Sequence, residues 1–279
     1  MMWVLSAALA SMCTVGQASF TKIASTKEGK AGLMHFNALK VGASLLFFLI
    51  ISFHNIQVHL PTVLCASGYG FALFFSTFFG HKALMCNSMA LTSLVVSYSI
   101  IIPFLFGLVF LNEAVSFMKI LGIILILVSM YLIKYQSENV KIRNRWFIYV
   151  GITFVSNGIC SVIQKVHQIL YPSSYCREFM LCALCITFIL FLATSICRKE
   201  EKVTEVKLYA VISGVMMGVG NYLTLVLSSK VDASVLFPII SVFSMFCNII
   251  VSKLYFKDKF SVMQLTGICL GVFSVLLIK

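Results

Sequence analysis

The segment LNEAVSFMKILGIILILVSMYLIK, residues 111–134, returns at the C-terminus as FKDKFSVMQLTGICLGVFSVLLIK, residues 256–279. Sliding the first onto the second by 145 residues pairs Ser116 with Ser261, Met118 with Met263, Gly122 with Gly267, Ser129 with Ser274 and Lys134 with Lys279. The same shift sets Glu113 against Asp258. Aliphatic coincidences are common in apolar sequence; matched glycines, serines, acids and terminal lysines are not. Self-similarity at a fixed offset marks a repeated unit. The chain therefore reads as two copies of one module, each ending in this segment.

Outside the repeat, composition sets the solvent. Of 279 residues, 60% are hydrophobic and 11% charged, against roughly 45–50% and about 25% in soluble domains. Apolar stretches near 20 residues recur along the chain. In lipid only a helix or a closed barrel satisfies its own backbone, so these stretches read as membrane-spanning helices. The ten cysteines include a C-x-x-C at Cys182 and Cys185. It lies in LCALCITFILFLA with no histidine beside it, so buried thiols are expected rather than a metal site, and no cofactor is implied. The net charge of +12 brings no basic stripe interleaved with aromatics. Loop lysines at a membrane surface account for it, and nucleic acid is not an expected partner.

Ten spans follow in order: 2–20, 37–53, 61–80, 83–110 (interrupted by Pro103), 117–134, 146–164, 178–197, 208–227, 233–252 and 260–278. The fold class is an all-α integral membrane protein of two five-helix repeats, residues 1–134 and 146–279. The most polar connection, 135–145, links them. Five is odd, so the second copy enters the membrane from the opposite side. Such inverted repeats are the architecture of many secondary transporters. Sixteen of the 21 Lys and Arg residues fall in odd-numbered loops, Lys22, Lys40, Lys82 and Arg198 among them. By the positive-inside rule those loops are cytoplasmic and both termini face out.

The fourth and fifth spans read IIPFLFGLVFLNEAVSFMKILGIILILVSMYLI, with Pro103, Glu113 and Gly122. Their second copy carries Pro238, Asp258 and Gly267. This phrase resembles that of the drug/metabolite transporter superfamily, its EamA-type members in particular, and the resemblance covers nearly the whole chain. Asn112 and Lys257 stand where the family usually has glycine, and Pro103 and Pro238 are not equivalent positions. Family members are commonly drawn with cytoplasmic termini, opposite to the charge count. The resemblance implies a multi-pass permease of the cell membrane.

Candidate site residues are the polar groups within spans: Gln17, Asn87, Tyr98, Asn157, Gln164, Asn221, Tyr222 and Asn248. Singly, each reads most simply as a hydrogen bond between helices; as a set they are the expected lining of a central cavity. Glu113 and Asp258 open helices, where an acid complements the helix dipole. Pro103 and Pro238 mark kinks or broken-helix sites. Lys22 and Lys165 end spans, where lysines snorkel. No Asp or Glu falls in mid-span, which favours a neutral or zwitterionic solute. The expected partners are a small-molecule solute and the bilayer; monomer and homodimer both stay open. A membrane-embedded enzyme is disfavoured, since no P-loop, H-E-x-x-H or nucleophile elbow occurs. A non-transporting receptor or scaffold is the other alternative.

Overall fold

The computed structural model describes residues 2–28, 32–52, 59–110, 117–135, 144–171, 175–198, 205–228, 233–257 and 262–277. Among the described residues every regular element is helical: α1 Met2–Glu28, α2 Leu33–Ser52, α3 Leu60–Cys86, α4 Met89–Ser97, a 3₁₀ turn Tyr98–Ile100, α5 Ile101–Phe110, α6 Phe117–Tyr135, α7 Asn144–Leu170, α8 Cys176–Cys197, α9 Lys207–Ser228, α10 Ala233–Leu254 and α11 Val262–Leu277. Glu113, Asp258 and most of the 135–145 linker lie outside the described residues.

Six described segments are long and apolar enough to cross a membrane: Leu33–Ser52, Leu60–Cys86, Met89–Gly107, Arg145–Leu170, Cys176–Cys197 and Lys207–Leu227. Their outward faces carry large apolar side chains such as Ile50, Leu60 and Ile196. Ser44, Thr62, Thr187 and Ser213 are buried. Apolar groups outside and hydroxyls inside suit lipid as the surrounding solvent, and the chain is a helical membrane protein.

Several helices outrun their apolar stretches. α1 continues to Glu28 and α7 to Leu170, so Lys22 and Lys165 lie within helices rather than at their ends. α2 runs from Leu33 to Ser52, so Lys40, which the 37–53 span contains but the charge count gives to the loop before it, lies inside the helix. His81 and Lys82 belong to α3; the turn comes later, at Asn87 and Ser88. There Asn87 is extended (φ −151°, ψ −176°). Ser88 caps the next helix, its hydroxyl accepting from the Leu91 amide at 3.2 Å, as serine does at a helix N-terminus.

The fourth span is broken as expected, but ahead of the proline rather than at it. Proline has no N–H, and its ring crowds the carbonyl four residues earlier, here that of Ser99. The 3₁₀ turn at Tyr98–Ile100 falls on that carbonyl. Of the C-x-x-C pair, Cys182 is half-buried and Cys185 exposed. The expectation of two buried thiols therefore fails for Cys185, which α8 turns outward.

The most extensive packing joins α3 to α7 and α1 to α9. α6 lies along α11, and α2 packs on both α8 and α9. α3 packs on α8, α1 on α10, α10 on α4, and α5 on α7. Glycines set two of these approaches. A Cβ on Gly214 of α9 would stand 2.1 Å from the Lys40 carbonyl oxygen of α2; one on Gly70 of α3 would stand 2.9 Å from the Ala183 carbonyl oxygen of α8. In both pairs a backbone occupies the space of a side chain, the close approach small residues permit in membranes.

Gly214→Ala should therefore destabilise by about 1–3 kcal/mol, the usual cost of overpacking. Gly151→Ala, whose new Cβ meets nothing within 4 Å, should be neutral or gain up to about 1 kcal/mol from helix propensity. Thermal unfolding of the purified protein in one detergent ranks them, and equal losses would count against a backbone contact at Gly214.

Candidate functional site

Several polar side chains inside the bundle join one helix to another. Thr14 of α1 shares a hydrogen bond of 2.9 Å with Ser244 of α10. Asn157 Nδ2 of α7 donates to Ser99 Oγ, in the 3₁₀ turn, at 2.7 Å. Asn157 lies 143 residues after Thr14, and Ser244 lies 145 after Ser99. A second pair follows the same spacing. Ser213 Oγ of α9 donates to the Gln17 carbonyl of α1 at 3.0 Å; the Cys160 thiol of α7 approaches the Tyr69 carbonyl of α3 at 3.8 Å. Cys160 lies 143 after Gln17, and Ser213 lies 144 after Tyr69.

The eight candidate residues are spread over α1, the α3–α4 turn, the 3₁₀ turn, α7, α9 and α10. Gln17 contributes its backbone carbonyl as above. Asn87 sits in the α3–α4 turn, its Oδ1 accepting from the Ser88 amide at 2.7 Å, so it is not a mid-span group. Tyr98 is fully buried, and its hydroxyl meets Ser129 Oγ of α6 at 2.5 Å. Ser129 in turn donates to the Gly267 carbonyl of α11 at 2.6 Å, so Tyr98 ties the broken helix to both copies of the repeated segment. Tyr222 packs edge-on to Phe47 and Phe48 with ring centroids 6.4 Å away. Gln164 and Asn221 are half-buried on α7 and α9. Asn248 is buried on α10, with Oδ1 lacking a hydrogen-bond partner. Pro103 follows the 3₁₀ turn, and Pro238 lies within α10.

Lys22 neither snorkels to water nor stands alone. Its ammonium donates to the Leu84 carbonyl and, at 2.5 Å, to the Asn87 carbonyl, closing the C-terminal end of α3. A cation is favourable there because the last carbonyls of a helix lack partners and carry the negative end of its dipole.

The cluster that sequence reasoning missed surrounds Lys40. This lysine is 5% exposed, with Asn37 at 0% and Ser44 at 0% on the same face of α2. Residues three and four apart share a helical face. Its ammonium donates to Thr21 Oγ1 of α1 at 3.4 Å, and Thr21 meets Ser213 Oγ at 3.1 Å. From α3, the buried His81 places Nδ1 3.3 Å from Asn37 Oδ1. Asn37 Nδ2 and Ser44 Oγ have no hydrogen-bond partner. At 1.5 Å per residue, Lys40 lies about 10 Å along α2 from its start. Among the described residues no carboxylate pairs with this ammonium. A buried ion without a counter-charge costs roughly several kcal/mol. The signal in the sequence was the spacing Asn37, Lys40, Ser44. It was hidden because the lysine stands close to a basic loop.

By sequence, no family profile and no curated protein matches the chain. Among the 28 solved chains that match, a crystal structure of a protein superposes with a TM-score of 0.65 at 15% sequence identity, over 98% of this chain and 95% of that one. At that identity the likeness is one of fold alone. The shared fold runs the length of both chains.

Lys22→Met should lower stability by about 1.5–3 kcal/mol, the range for hydrogen bonds to a charged group, and speed amide exchange in the last turn of α3. Thermal unfolding with hydrogen exchange tests this; unchanged exchange at Leu84–Asn87 would mean that the lysine does not hold that end.

Proposed function

We propose that the chain is a secondary transporter of the cell membrane, moving a small polar metabolite or drug-like solute by alternating access between two inverted five-span repeats, 1–134 and 146–279. The observation that carries this reading is the pair of contacts Thr14–Ser244 and Asn157–Ser99. Each joins the first half to the second, and each is the other with the halves exchanged.

The packing supports the same exchange. Count α4 and α5 as one broken helix and move every helix five places along. The contact α1–α9 then becomes α7–α3, α2–α9 becomes α8–α3, and α1–α10 becomes α7 against α4 and α5. The pairs α2–α8, α4–α10 and α6–α11 map onto themselves. An odd number of spans in each half makes this a two-fold relation in the membrane plane. Two halves built alike and joined by weak polar contacts can rock against each other, and the exchange symmetry makes the inward- and outward-facing states similar in energy. EamA-type transporters, which the repeated segments resemble, are consistent with this reading. Ten spans with both termini outside complete the proposed topology.

Untargeted metabolite profiling of medium and cytosol tests the proposal, comparing cells that express the intact chain with cells expressing a Thr14→Val, Asn157→Leu double variant. A solute should cross the membrane with the intact chain and do so about tenfold more slowly with the variant, read as a loss in transport rate. If no solute moves although both proteins reach the membrane, the transport reading fails.

A further inference from the structure

We propose that Lys40, Asn37 and Ser44 of α2 form a binding site for the carboxylate of a solute, enclosed by α1, α3 and α9. This rests on the transport reading and names the substrate class for it.

The fold supplies its own control. The contact of Gly214 with the Lys40 carbonyl has its counterpart in that of Gly70 with the Ala183 carbonyl. Ala183 lies 143 residues after Lys40, and Gly214 lies 144 after Gly70. By the same offsets Asn37 corresponds to Met180, Ser44 to Thr187 and His81 to Leu225. Met180, Ala183 and Leu225 are buried and apolar. Thr187 Oγ1 is satisfied, donating to the Gly70 carbonyl at 3.0 Å and the Ala183 carbonyl at 2.8 Å. This locus therefore packs well without a cation, an amide or an imidazole. Lysine, asparagine and histidine in the first half are not demanded by helix packing.

The groups left over define the ligand. An ammonium carries three N–H donors, and Lys40 directs one to Thr21 at a long 3.4 Å. His81 Nδ1–H takes Asn37 Oδ1, leaving the two N–H donors of Nδ2 unspent. The Ser44 hydroxyl is unspent as well. These are donors around one positive charge. Their complement is an acceptor-only group of charge −1 with two oxygens to share among these donors, as a carboxylate has. A doubly charged phosphate would call for a second cation, and none of the described side chains named here supplies one. A bound carboxylate would neutralise Lys40 and satisfy Asn37 and Ser44 together.

The test uses purified full-length protein in detergent, unfolded thermally in sodium acetate, glutamate or succinate and compared with sodium chloride at equal ionic strength. At least one carboxylate should raise the unfolding temperature of the wild type beyond the chloride control, with a midpoint concentration at least tenfold higher in Lys40→Met. Without added carboxylate, Lys40→Met should unfold at the same or a higher temperature than wild type; a purely structural lysine would leave the variant less stable. Should Lys40→Met not fold, Asn37→Leu keeps the charge and should still weaken the midpoint several-fold. The site is overturned if no carboxylate exceeds chloride in the wild type, or if the shift survives in the variants. Carboxylate binding without solute movement in the profiling experiment would keep the site and remove the transport reading. Movement of a solute that lacks a carboxylate would do the reverse.

Discussion

A carbonyl oxygen occupies the space where a side chain would stand at Gly214, against Lys40, and the rest of the bundle is arranged around that approach and its counterpart at Gly70. In lipid there is no hydrophobic gain from bringing two apolar helices together, so association depends on close van der Waals contact and on hydrogen bonds between helices. Glycine provides the first, and the serines and threonines nearby provide the second. Thr187 shows both at once: it donates to the carbonyl of Gly70 on the neighbouring helix and to that of Ala183 on its own. The packing of α2 on α9 and of α3 on α8 follows from these contacts. Through it, α1 and α7 come to lie where they join one half of the chain to the other.

A second constraint acts at the broken helix. Pro103 removes a backbone donor, the turn before it tightens, and Tyr98 is directed inward by that turn. Its hydroxyl bonds to Ser129, which bonds to the Gly267 carbonyl. A Cβ on Gly271 would collide with the Tyr98 hydroxyl. One helix break is thus held by a serine from the first copy of the repeated segment and two glycines from the second. The two similar segments lie side by side as α6 and α11, so their likeness in sequence coincides with a physical contact.

The polar groups of the interior divide by how they are satisfied. Asn157, Thr14 and Ser213 join helices across the halves, and Lys22 closes the end of α3. Lys40 differs: it is enclosed, charged and served by one long hydrogen bond, with two unspent polar neighbours on its own helix. Uncompensated polarity of this kind is expensive inside a membrane. A bound anion would offset that cost, and among the described residues no carboxylate does.

Much of the architecture was legible from the chain alone. Composition named the solvent, and the offset of 145 residues showed that segments 111–134 and 256–279 are alike. Local chemistry set the helix break before Pro103, because a missing N–H acts within one turn. The site was less legible. Gln17, Asn157 and Asn221 stood out as polar groups in apolar runs, but sequence could not say whether such a group faces a cavity or a neighbouring helix, since that depends on which helices meet. Asn87 looked mid-span because the turn after α3 carries no charge to announce it. Lys40 stands at the start of the 37–53 span beside a basic loop, so charge alone assigns it to that loop, although the helix continues back to Leu33. Covalent order and side-chain polarity determined that the chain is helical and suited to a membrane; only the packing of α1, α3 and α9 around α2 decided that this lysine would be sealed from water, since burial is a property of neighbours distant in the chain.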